Sequence, residues 1–301
     1  MVVLSRIVSL FMVLLVGTIV GKLKMVSDNF RGDLTKFLST VTYPFYIFNA
    51  IYTGGYGKDL SIGLTMIKLS FLVYGIEIVL ATIFARFWPV SEAKRPAYAF
   101  AMVFPNMSFL GLPVLEAALG SEGVFYGAFF ILFVDIIMWT YGAYLFKGGK
   151  GDFKLKQMIT PSMIGALVAI IFIVFGIDLS DMLALPVSMI GGLSPPLSMI
   201  ILGLMLAGMK KEDLAEGPLA LIASLYRLIV LPLGTYFLLS LLGYESYYLY
   251  IPVIIMAMPV AATGALLASR YGEDHGSITG IIVLSTVLSL VSIPIVINFL
   301  I

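Results

Sequence analysis

The sequence holds no cysteine, one histidine and few charges for its length, and each shortage removes a class of function. Without cysteine there is no disulfide, no thiol nucleophile and no thiolate metal ligand. The one histidine, His275, stands beside Glu273 and Asp274 with no partner at ligand spacing, so it reads as a solvated loop residue and not a metal site. An intramembrane enzyme needs a nucleophile and base, paired aspartates or a zinc motif. No H-E-x-x-H occurs and the histidine falls outside the apolar runs, so neither enzyme activity nor a cofactor is expected. Charged residues make up 12% of the 301 positions against 60% hydrophobic ones, which excludes a soluble globule with a wet surface. The net charge of +1, with lysines and arginines scattered at segment ends, makes no case for nucleic acid.

What is abundant is apolar sequence in lengths that match a bilayer. About 20 apolar residues cross a hydrocarbon core, and ten such runs lie near 4–22, 34–53, 61–87, 96–118, 123–146, 159–177, 184–209, 215–242, 248–269 and 276–300. They predict an all-α integral membrane protein, a single transmembrane unit over 1–301, with the lipid bilayer as its first partner. The N-terminal run carries Arg6 inside it and lacks a cleavage pattern, so it is expected to be the first span. The sixteen methionines and the aromatics read as lipid-facing or core filler. The odd-numbered links carry Lys22, Lys24 and Arg31, then Arg86, Lys94 and Arg95, then Lys147, Lys150, Lys154 and Lys156, then Lys210 and Lys211, then Arg270; the even links hold only Lys58. The positive-inside rule therefore predicts a plasma-membrane protein with both termini on the extracytoplasmic side.

The two halves are related. A shift of 152 residues lays Pro44 on Pro196, Tyr74 on Tyr226, and Gly120 on Gly272. Five spans per copy is an odd number, so the copies, about 1–150 and 151–301, run oppositely through the membrane: the inverted-repeat plan of secondary transporters. In the fourth span, "PNMSFLGLP" places Pro105 and Pro113 around Asn106, Ser108 and Gly111. Two prolines are expected to break the helix, and Gly111 to let the chain turn between them. The ninth span has Pro259 and Gly264 near the equivalent place. Two broken helices crossing at the midplane would aim positive half-helix N-termini at an anion, with Asn106 and Ser108 as added donors. Two proline-kinked helices without a ligand are the plainer alternative.

These residues resemble a known family. The Pro105-Asn106 break, "DIIMWT" at 135–140, "YRLIVLP" at 226–232 and "AMPVAATGALLASRYG" at 257–272 are similar to the auxin efflux carriers. That family contains the plant PIN-formed proteins and prokaryotic proteins often labelled malate or malonate carriers. The resemblance implies scaffold and transport domains like those of bile-acid symporters and sodium–proton antiporters, with spans 1, 2, 6 and 7 in the scaffold. It also implies a crossover of spans 4 and 9, and elevator-like motion. The substrate it implies is a small organic anion, an auxin-like acid or a dicarboxylate. Lys68 corresponds to a lysine that in the plant branch follows an acid by four residues, where this chain has Leu64.

The expected substrate site is therefore Pro105, Asn106, Ser108, Gly111 with its free N–H groups, Asp135, Trp139, Pro259, Thr263 and Asn49, the last equally well explained as an interhelical contact. Lys68, Glu77, Asp135 and Arg227 are the candidates for coupling to a proton or sodium ion. Glu77 and Arg227, at comparable depth, read either as a structural ion pair or as a coupling pair. The expected function is an exporter or facilitator of that anion; a coupled symporter, a channel or a transporter-like sensor uses the same broken helices, and a homodimer is compatible with all of them.

Overall fold

The computed structural model describes residues 2–27, 29–55, 60–147, 159–208, 217–271 and 275–301. Lys58, Lys150, Lys154, Lys156, Lys210, Lys211, Gly272, Glu273, Asp274 and the His275 side chain, all weighed above, lie outside the described residues. The described chain is helical, as a chain in lipid must be if its backbone groups are to be satisfied within each segment. Its α-helices are α1 (Val2–Lys22), α2 (Phe30–Phe37), α3 (Tyr43–Gly55), α4 (Ser61–Phe87), α5 (Arg95–Val103), α6 (Leu112–Ile137), α7 (Ala143–Phe146), α8 (Pro161–Val174), α9 (Asp181–Gly192), α10 (Ser194–Ala207), α11 (Gly217–Leu225), α12 (Leu231–Leu241), α13 (Tyr247–Met256), α14 (Thr263–Tyr271) and α15 (His275–Leu300). Six helical stretches among the described residues are long and apolar enough to cross a membrane. This is a multi-pass membrane protein. The expected spans at 34–53, 96–118, 159–177 and 248–269 correspond to helices that are short or in pieces.

Among the described residues four π turns, Leu38–Thr42, Met107–Gly111, Met138–Gly142 and Tyr226–Val230, interrupt the α-helices. Three of them end two residues before a proline: Pro44, Pro113 and Pro232. Proline cannot donate to the carbonyl one turn back and its ring crowds that carbonyl, so an extra residue in the preceding turn lets the helix continue. Pro113 accordingly does not break its helix, as was expected, but sits in the first turn of α6 where no N–H is required. Between the expected fourth and fifth spans, α6 is kinked at one residue, Gly120, at φ 70 and ψ −160. That left-handed conformation suits glycine alone.

The chain forms two compact units. The first comprises residues 1–66, 112–132 and 159–208. In it α1 packs on α10, and α3 on α8 and α9. Backbones approach closely at glycines: a Cβ on Gly203 would meet the Leu14 carbonyl oxygen, and one on Gly165 the Pro44 carbonyl oxygen. Small residues at helix contacts are the usual means of close packing in lipid. Between α10 and the π turn before α3, Ser194 Oγ donates to Thr42 Oγ1 at 3.0 Å, two residues 152 positions apart. The second unit comprises residues 67–111, 133–158 and 209–301. Its centre is α15, which packs on α5, α11, α13 and α14, while α12 packs on α13.

Candidate functional site

The second unit contains the chain's main interruption of helical backbone. Helix α5 stops at Val103 because Pro105 disfavours helical geometry at the residue before it, and Phe104 is extended at φ −104, ψ 105. In the other segment, α13 ends at Met256 and α14 begins at Thr263, with Pro259 between. The two gaps face each other. Phe104 O accepts the Ala261 N–H at 2.9 Å, the Asn106 N–H donates to Pro259 O at 2.7 Å, and Pro105 and Val260 form an antiparallel bridge. Ser285 on α15 accepts the Val260 N–H on its Oγ at 3.1 Å. Backbone groups that proline released thus find partners across the crossing, as buried groups in lipid must.

Asn106 then restarts the helix. Its Oδ1 accepts the Phe109 N–H at 3.3 Å, and its main-chain oxygen accepts the N–H groups of Leu110 at 3.3 Å and Gly111 at 3.0 Å. The expectation of free N–H groups around Gly111 is therefore wrong, because Asn106 caps them. Gly111 is not the turning point either. Its φ of −61 and ψ of −53 are helical, and a Cβ there would make an ordinary 3.5 Å contact with Met258. What stays open is the amide nitrogen of Asn106. Its residue is 2% exposed, yet Nδ2 has no hydrogen-bond partner among the described residues. Rotating the amide would face NH2 against the Phe109 N–H, so the free group is a donor.

Arg227, fully buried on the π turn Tyr226–Val230, holds the other ends of the broken helices. Nη1 donates to Met102 O at 2.7 Å and Val103 O at 3.3 Å, Nη2 to Met256 O at 3.2 Å and Met256 Sδ at 3.3 Å, and Nε to Met258 O at 3.3 Å. These acceptors are the carbonyls that α5 and α13 leave unsatisfied at their negative C-terminal ends. A guanidinium has five N–H donors, and five bonds account for them. The expected ion pair with Glu77 is replaced by this clamp. Glu77, on α4 and 4% exposed, is hydrogen bonded to the Tyr226 side chain and acts on Arg227 as a neighbouring charge.

The remaining expected residues are distributed as follows. Thr263, half-buried at the start of α14, donates from Oγ1 to Met138 Sδ at 3.0 Å, beside half-buried Trp139 in the π turn Met138–Gly142. Asp135 lies in the last turn of α6 at 7% exposure, and Ser108 is half-buried in the π turn after Asn106. Asn49 is half-buried on α3 in the first unit, whereas Lys68 is exposed on α4. Sequence reasoning missed Ser285, one serine among many with no local signal. It also missed the pair in the first unit in which Tyr46 Oη donates to Glu116 Oε2 at 2.6 Å.

Comparison with known proteins gives the chain a family. A family model described as a membrane transport protein matches residues 2–155 and 150–297, which is nearly the whole chain. The chain belongs to the auxin efflux carrier family. A relative described as an uncharacterized transporter of Methanothermobacter thermautotrophicus is 26% identical over 297 residues, covering 96% of each chain. Another, an uncharacterized transporter of Methanocaldococcus jannaschii, is 28% identical over 212 residues, 68% of each.

Proposed function

We propose that the protein is a secondary transporter of a small organic anion, a carboxylate, bound at the crossing of the two broken segments, and that it is not an enzyme. The observation that carries this reading is the buried, unpartnered amide nitrogen of Asn106 at a helix N-terminus. A buried donor left unmade is costly, and a ligand acceptor removes that cost. The field at the crossing favours an anion. Arg227 is bonded to the negative ends of α5 and α13, while the positive starts of the π turn at Met107 and of α14 at Thr263 adjoin the gaps. Asp135, Trp139, Ser108 and Thr263 would line the rest of the cavity.

The ten-span inverted repeat is part of the same proposal. Exchanging the halves swaps α1 on α10 for α8 on α3, the two main pairings of the first unit. Thr42 and Ser194, equivalent under the 152-residue shift, bond to each other. The division into two compact units supports an elevator-type mechanism in which the second unit carries the substrate. Asn106→Ala should weaken carboxylate binding by about 1 to 3 kcal/mol, roughly 5- to 150-fold, and lower the melting temperature modestly through the lost cap on Phe109. Thermal-shift titration with a panel of mono- and dicarboxylates, followed by uptake into proteoliposomes, measures both. Unchanged binding and uptake of every carboxylate in a folded Asn106→Ala protein would move the site elsewhere, and binding without uptake by the wild type would favour a sensor.

A further inference from the structure

We propose that Glu77 is an exchangeable-proton site, and that its proton moves with the anion. The coupling rests on the transporter reading above; the binding of a proton to Glu77 does not.

The geometry leaves this carboxyl group without a cationic donor. It is 4% exposed on a helix long and apolar enough to span the membrane, and its Oε1 has no hydrogen-bond partner among the described residues. Among the described residues it is hydrogen bonded to the Tyr226 side chain. The cation beside it, Arg227, has spent its five N–H donors on four main-chain carbonyls and a thioether. An ionised carboxylate buried with one oxygen unbonded is far more costly than the same group as a neutral acid.

The charged groups gathered around Tyr74 and Glu77 give the same answer. From its own helix comes Tyr74, whose hydroxyl donates to Met107 Sδ at 3.3 Å and which feels Arg227, Glu77 and Asp135 together. The π turn Tyr226–Val230 presents Tyr226 and Arg227. From α6 comes Asp135, which acts on the same Tyr74. Two carboxylates and one guanidinium sum to −1, and one proton makes the cluster neutral. The proton adds to a carboxylate oxygen of Glu77 from water on one side and leaves to water on the other, and no other bond is made or broken. Tyr226 touches Glu77 while its chain neighbour Arg227 grips both broken helices, so the charge of Glu77 is felt where the substrate would sit.

Infrared difference spectra of the purified protein between mildly acidic and mildly alkaline buffer test proton binding directly. The wild type should show a neutral-acid C=O band that shifts in D2O, is retained in Asp135→Asn and is absent from Glu77→Gln, whose amide keeps an acceptor for Tyr226. A Glu77→Gln spectrum identical to wild type would overturn the proton site. Should Glu77→Gln fail to fold, Glu77→Asp must move the band, and an unmoved band overturns the proposal equally. Coupling is read in proteoliposomes with radiolabelled malonate, acetate and indole-3-acetate. An inward proton gradient should stimulate wild-type uptake several-fold, and Glu77→Gln should lose the stimulation while retaining exchange. Gradient-driven uptake that survives Glu77→Gln overturns the coupling. Transport of none of the three acids by the wild type counts against the substrate reading, while the infrared band still decides the proton site.

Discussion

Arg227 shows how much one side chain can hold when its donors form a fixed fork. Its five hydrogen bonds reach the last carbonyls of α5 and carbonyls at and just past the end of α13. A lysine has three donors on a point charge and cannot span both ends. Arg227→Lys should therefore lose most of what Arg227→Ala loses, on the order of 3 to 5 kcal/mol, seen as a fall in melting temperature of several degrees. The two substitutions can also be tested against Glu77. Because Glu77 acts on Arg227 through charge, with no N–H bond between them, adding Glu77→Gln to Arg227→Ala should recover no more than about 1 kcal/mol. A rescue of more than about 1 kcal/mol would show a direct pair. Opposite charges at similar depth suggested such a pair from sequence, but composition and spacing do not reveal where a donor is already committed. The polar acceptors here are main-chain atoms, which no residue letter records.

At the scale of the element, proline positions were the most legible signal and also the most easily misread. Pro105 and Pro259 do mark the two breaks, whereas Pro113 and Pro232 only induce π turns within continuing helices. The difference lies in what surrounds each. Phe104 and Ala261 supply a main-chain partner across the gap beside Pro105, so leaving the helix there strands nothing. Helix pairing in the first unit makes a separate prediction. A Cβ on Gly203 of α10 would strike the Leu14 carbonyl, and main chain cannot swing aside as a side chain can. Gly203→Ala should destabilise the protein by about 1 to 3 kcal/mol. Gly234→Ala in α12, where nothing lies within 4 Å, should be neutral or raise stability by up to about 1 kcal/mol. Thermal unfolding in a single detergent compares the two.

For the whole molecule, the apolar runs revealed a multi-pass chain because lipid imposes length and composition together. The fold's pairing was less visible. The local pattern does not say that α1 finds α10 and α3 finds α8, since helix contacts in lipid depend on small residues whose pattern is weak; only the family resemblance grouped spans 1, 2, 6 and 7. Both pairings join the first half of the chain to the second. Residues 1–150 or 151–301 expressed alone should therefore aggregate or be degraded, and co-expression should restore a monodisperse particle, as size-exclusion chromatography of a tagged half will show. The crossing itself has one more consequence. Phe104 with Ala261, and Asn106 with Pro259, are joined through main-chain atoms, which are the same whatever side chains they carry. The hydrogen bonds of the junction are therefore indifferent to residue type, and what limits replacement of Phe104, Val260 and Ala261 is the close packing of their buried side chains, as where the Phe104 ring lies against Phe100 and Tyr141.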